Sequence, residues 1–160
     1  MSPSDLPAVS RIQRECYDES ILESEDSFSA KLSVSPDLCF VAVQGQRVVG
    51  YVISLPRVFG EIPDLDCASY SVPPDADSLC IHDMAVTHSA RAVGAATQML
   101  NIVLGTAAQM GYKRVFLVAI QGASSYWMRH GFEVVSAGES LRKDLSAYGQ
   151  EAVYMAKSDD

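Results

Sequence analysis

The segment from Ile81 to Met110 constrains this chain most. An apolar run, Ile81-His82-Asp83-Met84-Ala85-Val86, leads into Arg91-Ala92-Val93-Gly94-Ala95-Ala96, and a helical pattern continues to Met110. The pattern predicts a strand, a turn carrying one glycine, and the start of the longest helix. The first turn of a helix leaves backbone N–H groups without partners, and the aligned peptide dipoles place partial positive charge there. Phosphate groups suit such a place. The spacing is neither the Gly-x-Gly-x-x-Gly of dinucleotide folds nor a Gly-Lys-Ser/Thr phosphate loop.

The rest of the chain reads as a series of short elements. Ser4 or Asp5 caps a first helix reaching about Tyr17, with Leu6, Val9, Ile12 and Cys16 on one face. Residues 18–25 are acidic and loop-like. A second helix covers 26–34, with Phe28 and Leu32 one turn apart, and Pro36 ends it. Residues 39–43 and 47–55 form a hairpin across Gln44-Gly45-Gln46. Residues 56–77 are a long irregular segment rich in proline and acids, of the kind that carries function or disorder. A strand at 78–86, a helix at 94–110 closed by Gly111, and an apolar strand at 114–120 follow. A short helix at 122–130 and strands at 132–136 and 151–156 complete the order α-α-β-β-β-α-β-α-β-β. This is an α/β (α+β) fold, a mixed and mostly antiparallel sheet with helices on both faces. No repeat or boundary divides it, so residues 1–160 form one domain.

Bulk properties narrow the function. A chain of 160 residues, 48% hydrophobic and 20% charged, can build one real core. Its net charge of −8 excludes nucleic acid as a partner. No apolar run approaches the ~18 residues of a membrane span. Met1-Ser2-Pro3-Ser4-Asp5 does not read as a secretory signal, so a cytoplasmic location is expected. Cys16, Cys39, Cys67 and Cys80 form no Cys-x-x-Cys pair and predict free thiols and no metal site. Cys16, Cys39 and Cys67 are expected to be small core residues.

Arg91-x-x-Gly94-x-Ala96 resembles the acetyl-CoA signature of the GNAT N-acetyltransferase superfamily. The strand ending Met84-Ala85-Val86, the segment Tyr126-Trp127-Met128-Arg129-His130-Gly131-Phe132, and Gly50-Tyr51-Val52 extend the likeness over almost the whole chain. Within that superfamily, residues 81–86 are most similar to a strand of the arylalkylamine N-acetyltransferases, which carry two histidines two residues apart. Here the second is His82, and Cys80 replaces the first. The family's usual first strand has no counterpart before Asp5. In the family's own count, the acyl-CoA cleft opens between the fourth and fifth strands.

The resemblance implies transfer of an acetyl group from acetyl-CoA to a small primary amine by direct attack, without a metal. The backbone N–H groups of Val93, Gly94, Ala95 and Ala96 would take the pyrophosphate, and Arg91 would add charge beside Ala92. The backbone of Met84, Ala85 and Val86 would pair with the pantetheine arm. Trp127 would pack beside that arm, with Arg129 near the cofactor. His82 is the candidate base, since imidazole titrates near neutrality. By regular strand alternation Cys80 and Met84 share its face and Asp83 points to the other. Trp127 stands where the family places a tyrosine acid, and an indole N–H cannot protonate a thiolate. Tyr126 and Tyr148 are the alternative donors. Tyr17, Ile21, Leu22 and Cys80 are expected to contact the acceptor, and the acidic segments 17–23 and 56–77 to wall its site, with Phe59 and Tyr70 supplying aromatic surface. A protein, amino-acid or polyamine acceptor, or a non-catalytic acyl-CoA-binding module, are the other readings. The chain is expected to act as a monomer or homodimer.

Overall fold

The computed structural model describes residues 1–136 and 138–158. The elements in chain order are α1 (Leu6–Cys16), α2 (Glu25–Val34), β1 (Cys39–Gln44), β2 (Arg47–Arg57), β3 (Ser78–Val86), α3 (Ala95–Gln109), β4 (Arg114–Ala119), α4 (Ser124–Arg129), β5 (Glu133–Val134), α5 (Glu139–Leu145) and β6 (Val153–Ser158). The six strands form one sheet in the order β1-β2-β3-β4-β6-β5. Only the central pair β3 and β4 is parallel, and α3 makes the crossover between them.

Each face of the sheet is covered as the side-chain periods require. On one face Leu100 and Val103 of α3 pack on Leu79, Ile81, Val115 and Leu117. On the other, Val9 and Ile12 of α1 and Phe28 of α2 pack on Tyr51 and Ile53. Phe116 and Tyr154 extend that second side, where Ile62 of the 58–77 loop and Tyr148 cover them. No strand precedes α1 among the described residues, and the chain's amino group donates to the Cys39 carbonyl at 2.9 Å. Among the described residues no helix is long and apolar enough to cross a membrane.

The structure departs from the sequence reading in several places, and the last strand, expected at 151–156, runs Val153–Ser158. Helix α2 begins one residue early because the Ser24 hydroxyl accepts the Ser27 N–H at 3.2 Å. Strand β2 runs through Pro56 to Arg57. The β1 partner of β2 reaches only to Ile53, so a residue without an N–H sits on a free edge. The strand expected at 132–136 shrinks to Glu133 and Val134. Helix α5 was not foreseen, since only Leu141 and Leu145 mark its inner side.

Two irregularities in β3 create the site. The strand pairs with β4 only through Leu79–Val115, Cys80–Phe116 and Ile81–Leu117, and the two then part. On its other edge β3 pairs with β2 at Ser54–Ile81 and next at Ile53–Asp83, so His82 is an extra residue in a bulge. Removing a buried methyl-bearing side chain from the α3 face tests this packing. Leu100→Ala should lower the unfolding free energy by about 2–5 kcal/mol in urea titrations. Ile102→Ala, one side of the helix away and 49% exposed, should change it by less than about 0.5 kcal/mol.

Candidate active site

Where β3 and β4 part, a cavity of about 610 Å³ opens. Its walls come from the end of α1, the segment leading to α2, the free part of β3, the end of β4 and the first turn of α4. Residues 83–86 of β3 are paired to β2 on one edge and to no strand on the other. The Met84 carbonyl takes a hydrogen bond from the Tyr17 hydroxyl at 2.8 Å, and the Val86 carbonyl one from the Cys16 thiol at 3.4 Å. Arg91 reaches the same Val86 carbonyl through Nε at 3.5 Å.

The bulge decides which side chains meet there. A regular strand would send His82 and Asp83 to opposite faces. With His82 as an extra residue, both turn to the α1–α2 side, and Met84 packs instead with the α3 cluster. The expected sharing of a face by His82 and Met84 is corrected by this bulge, as is the expected placement of Asp83. Cys80 does alternate onto the His82 side, but it sits 2% exposed in the Phe116–Tyr154 cluster and does not line the cavity. Burial pushes its thiol up to about 12.

His82 is held by a buried chain of charged groups. Its side chain is 2% exposed, and Nε2 lies 2.7 Å from Glu23 Oε1. Glu23 Oε2 accepts from Lys31 Nζ at 2.5 Å, from the Ser27 hydroxyl at 2.9 Å and from the Asp66 N–H at 2.8 Å. The Lys31 side chain is fully buried. Burial alone would raise the Glu23 carboxyl, but His82 and Lys31 outweigh it and hold the group well below the usual carboxylate range. Asp83 is the opposite case. Burial pushes its carboxyl up, although Tyr51 at 2.6 Å and Tyr17 at 2.7 Å donate to it.

The remaining expected residues divide between cavity and periphery. Tyr17, Ile21, Met84, Ala85, Val86, Arg91, Ala96, Tyr126, Trp127 and Tyr148 line it. Leu22, Gly94, Ala95 and Arg129 do not; Ala95 packs in the core under α3, and Arg129 is exposed at the end of α4. Cys16, expected in the core, also lines the cavity, and Cys67 lies half-buried in the long loop. From that loop Leu65 reaches the cavity, while Phe59 packs on Phe116 and Tyr154, and Tyr70 lies under the Arg57 guanidinium. The Tyr126 hydroxyl is buried, and burial pushes the phenol up. The Tyr148 hydroxyl donates to the Pro63 carbonyl at 2.5 Å. The side chains of Ala92 and Val93 lie outside those described.

Gly94 caps α3 in the left-handed region, at φ 75°, with no atom near where a Cβ would stand. Glycine adopts that angle without a steric penalty. Ala95 then starts the longest helix, and Ala96 in its first turn lines the cavity with Arg91 and the free part of β3. A strand edge, a helix start and a buried imidazole therefore converge on one cavity. This fits a long molecule with an anionic end and an acyl group.

The comparisons with known proteins agree with that geometry. The sequence profile of the acetyltransferase (GNAT) family matches residues 6–132, and the chain belongs to that family of enzymes. The fold is also that of a GNAT-like decarboxylase, GphF, in complex with isobutyryl-CoA, at a TM-score of 0.75 and 15% identity, covering 99% of this chain and 96% of that one. Ard1 from Thermoplasma volcanium matches at 0.74 and 14% identity, covering 99% and 93%. The ribosomal-protein-S18-alanine N-acetyltransferase from Escherichia coli matches at 0.69 and 16% identity, covering 99% and 90%. No curated protein matches by sequence.

Sequence reasoning counted Glu23 only as part of an acidic wall and missed Lys31. A lysine beside the Phe28–Leu32 stripe of α2, four residues after Ser27, was the available signal. The depressed Glu23 carboxyl has a consequence for stability. The unfolded chain takes up a proton at its ordinary value of 4.5, while the folded one resists until lower pH. Stability from this group is complete above that value and falls as the pH drops below it. Glu23→Gln should flatten that acid limb in urea midpoints measured against pH. It should also cost about 3–5 kcal/mol at neutral pH by leaving Lys31 buried and unpaired.

Proposed function

We propose that this chain is an N-acetyltransferase that carries an acetyl group from acetyl-CoA to a small primary amine with an apolar body. The observation that carries the proposal is the parting of β3 from β4 beside His82, which joins strand edge, helix start and imidazole in one cavity. Acetyl-CoA supplies an acyl thioester, whose C–S bond breaks as the C–N bond to the amine forms.

The chain's own residues do the rest. The N–H groups at the start of α3, with Arg91, hold the diphosphate. The unpaired edge of β3 at Met84–Val86 offers backbone groups to an extended arm, as an added strand would use them, and an N–H there polarises the thioester carbonyl. His82 accepts the proton that the amine must lose, since only the neutral amine attacks. The departing thiolate takes up a proton from solvent or from Tyr126, which lines the cavity. Tyr148 is a poorer donor, because its proton is engaged by the Pro63 carbonyl and burial pushes the phenol up. Ile21, Leu65 and Ile120 make the acceptor side apolar. The acidic approach through 17–23 favours a cationic amine.

Thiol release from acetyl-CoA with a panel of arylalkylamines, polyamines, amino acids and short peptides tests the reading. Release is expected with arylalkylamines. Release only with peptides would move the acceptor to a protein N-terminus. No release, despite tight CoA binding, would make the chain a binding module. His82→Ala should lower turnover roughly 10²–10⁴-fold, most strongly below the pH where the amine is already neutral, and leave CoA affinity nearly unchanged by calorimetry. Gly94→Glu should abolish CoA binding, because it sets a carboxylate against phosphate.

A further inference from the structure

We propose that Glu23 and Lys31 are a positioning pair for His82. The Glu23 carboxylate fixes the imidazole with its proton on Nε2 and Nδ1 bare. The Lys31 ammonium offsets the carboxylate charge beside the ring. The catalytic consequence rests on His82 being the base.

The geometry leaves Glu23 little freedom. Three donors converge on Oε2, from Lys31, Ser27 and the Asp66 backbone. Oε1 is left to His82 alone at 2.7 Å. The Ser27 hydroxyl donates to Glu23 and accepts from Lys31 Nζ at 2.6 Å, so its position is set from both sides. The main chain of Glu23 is clamped as well. Gln13 donates to its carbonyl at 2.5 Å and accepts from its N–H at 3.0 Å. An ionised carboxylate has no proton to give, so His82 must donate from Nε2. Among the described residues the other ring nitrogen has no hydrogen-bond partner, and the ring lines the cavity.

The charges in the chain also have a definite balance. Glu23 and Lys31 sum to zero where side chains are 3% and 0% exposed. A lone carboxylate against a buried imidazole favours the charged ring, whereas a neutralised one favours it far less. The other titratable groups of β3 and of the cavity wall do not replace Lys31. Asp83 from β3 is held up by burial, Tyr17 and Tyr148 are phenols pushed up by burial, and Cys80 is a buried thiol. The Asp66 carboxylate points away, to the Ser24 N–H at 2.7 Å.

Long-range ¹⁵N–¹H spectra of the wild-type protein read the tautomer directly. The expected result is protonated Nε2 and bare Nδ1, and a proton on Nδ1 overturns the proposal. Lys31→Met should then raise the titration midpoint of His82 by one unit or more. The acid limb of kcat/KM against pH should move by the same amount, a tenfold or larger loss of rate at a pH on that limb. Lys31→Arg should restore much of the wild-type midpoint. An unmoved midpoint in folded Lys31→Met overturns the proposal. A moved midpoint with an unmoved limb upholds the pair and removes His82 from the base role, so the two readings fail separately. If Lys31→Met does not fold, the wild-type tautomer still decides.

Discussion

The whole site depends on how β3 is bonded along its two edges. Through Ile81 it is an ordinary central strand with partners on both sides. Beyond that point β4 leaves, and the backbone of residues 83–86 keeps partners only on the β2 edge. Unpaired peptide groups inside a sheet are costly when dry, so they demand other partners. Tyr17, Cys16 and Arg91 satisfy two of the carbonyls. A ligand arm lying along the strand would satisfy what remains. The bulge at His82 comes from the same strand and turns two titratable side chains toward the helices that close the cavity.

The buried polar chain from Lys31 through Glu23 to His82 makes little sense as a source of stability. Taking an ammonium and a carboxylate out of water costs several kcal/mol per ion, and their attraction commonly does no more than offset it. An apolar trio would fill the same space at less cost. The chain instead spends hydrogen bonds from Ser27 and the Asp66 backbone on one carboxylate, and Gln13 clamps the main chain that carries it. The long loop takes part through Asp66, and through Pro63 at Tyr148. Its 58–77 span is therefore a structural wall of the site, although the aromatic residues expected there face elsewhere.

Much of the fold was legible in advance, for local reasons. Leu6, Val9 and Ile12 recur at helical spacing, and all three are buried under one face of α1. Gly45, Gly94 and Gly111 each adopt positive φ where a turn or helix end was read. The misses have equally definite causes. Pro56 reads as a strand breaker, yet β1 stops short and leaves it an edge where no N–H is needed. Alternation placed Asp83 on the wrong face because a bulge adds one residue and leaves no mark in an apolar run. Cys80 took the place of an expected ligand contact and proved to be a core thiol.

What the sequence determined by itself is the succession of elements and the family-like turn at 91–96. Hydrophobic period, caps and turn residues are properties of neighbours along the chain. Only the tertiary structure decided that Glu23 and His82, 59 residues apart, share a hydrogen bond, and that Lys31, which no sequence pattern singled out, stands behind them. Such contacts depend on where β3 bends, where β4 departs and how α2 is seated. Each of those follows from packing summed over many residues, and no short window of sequence contains that sum.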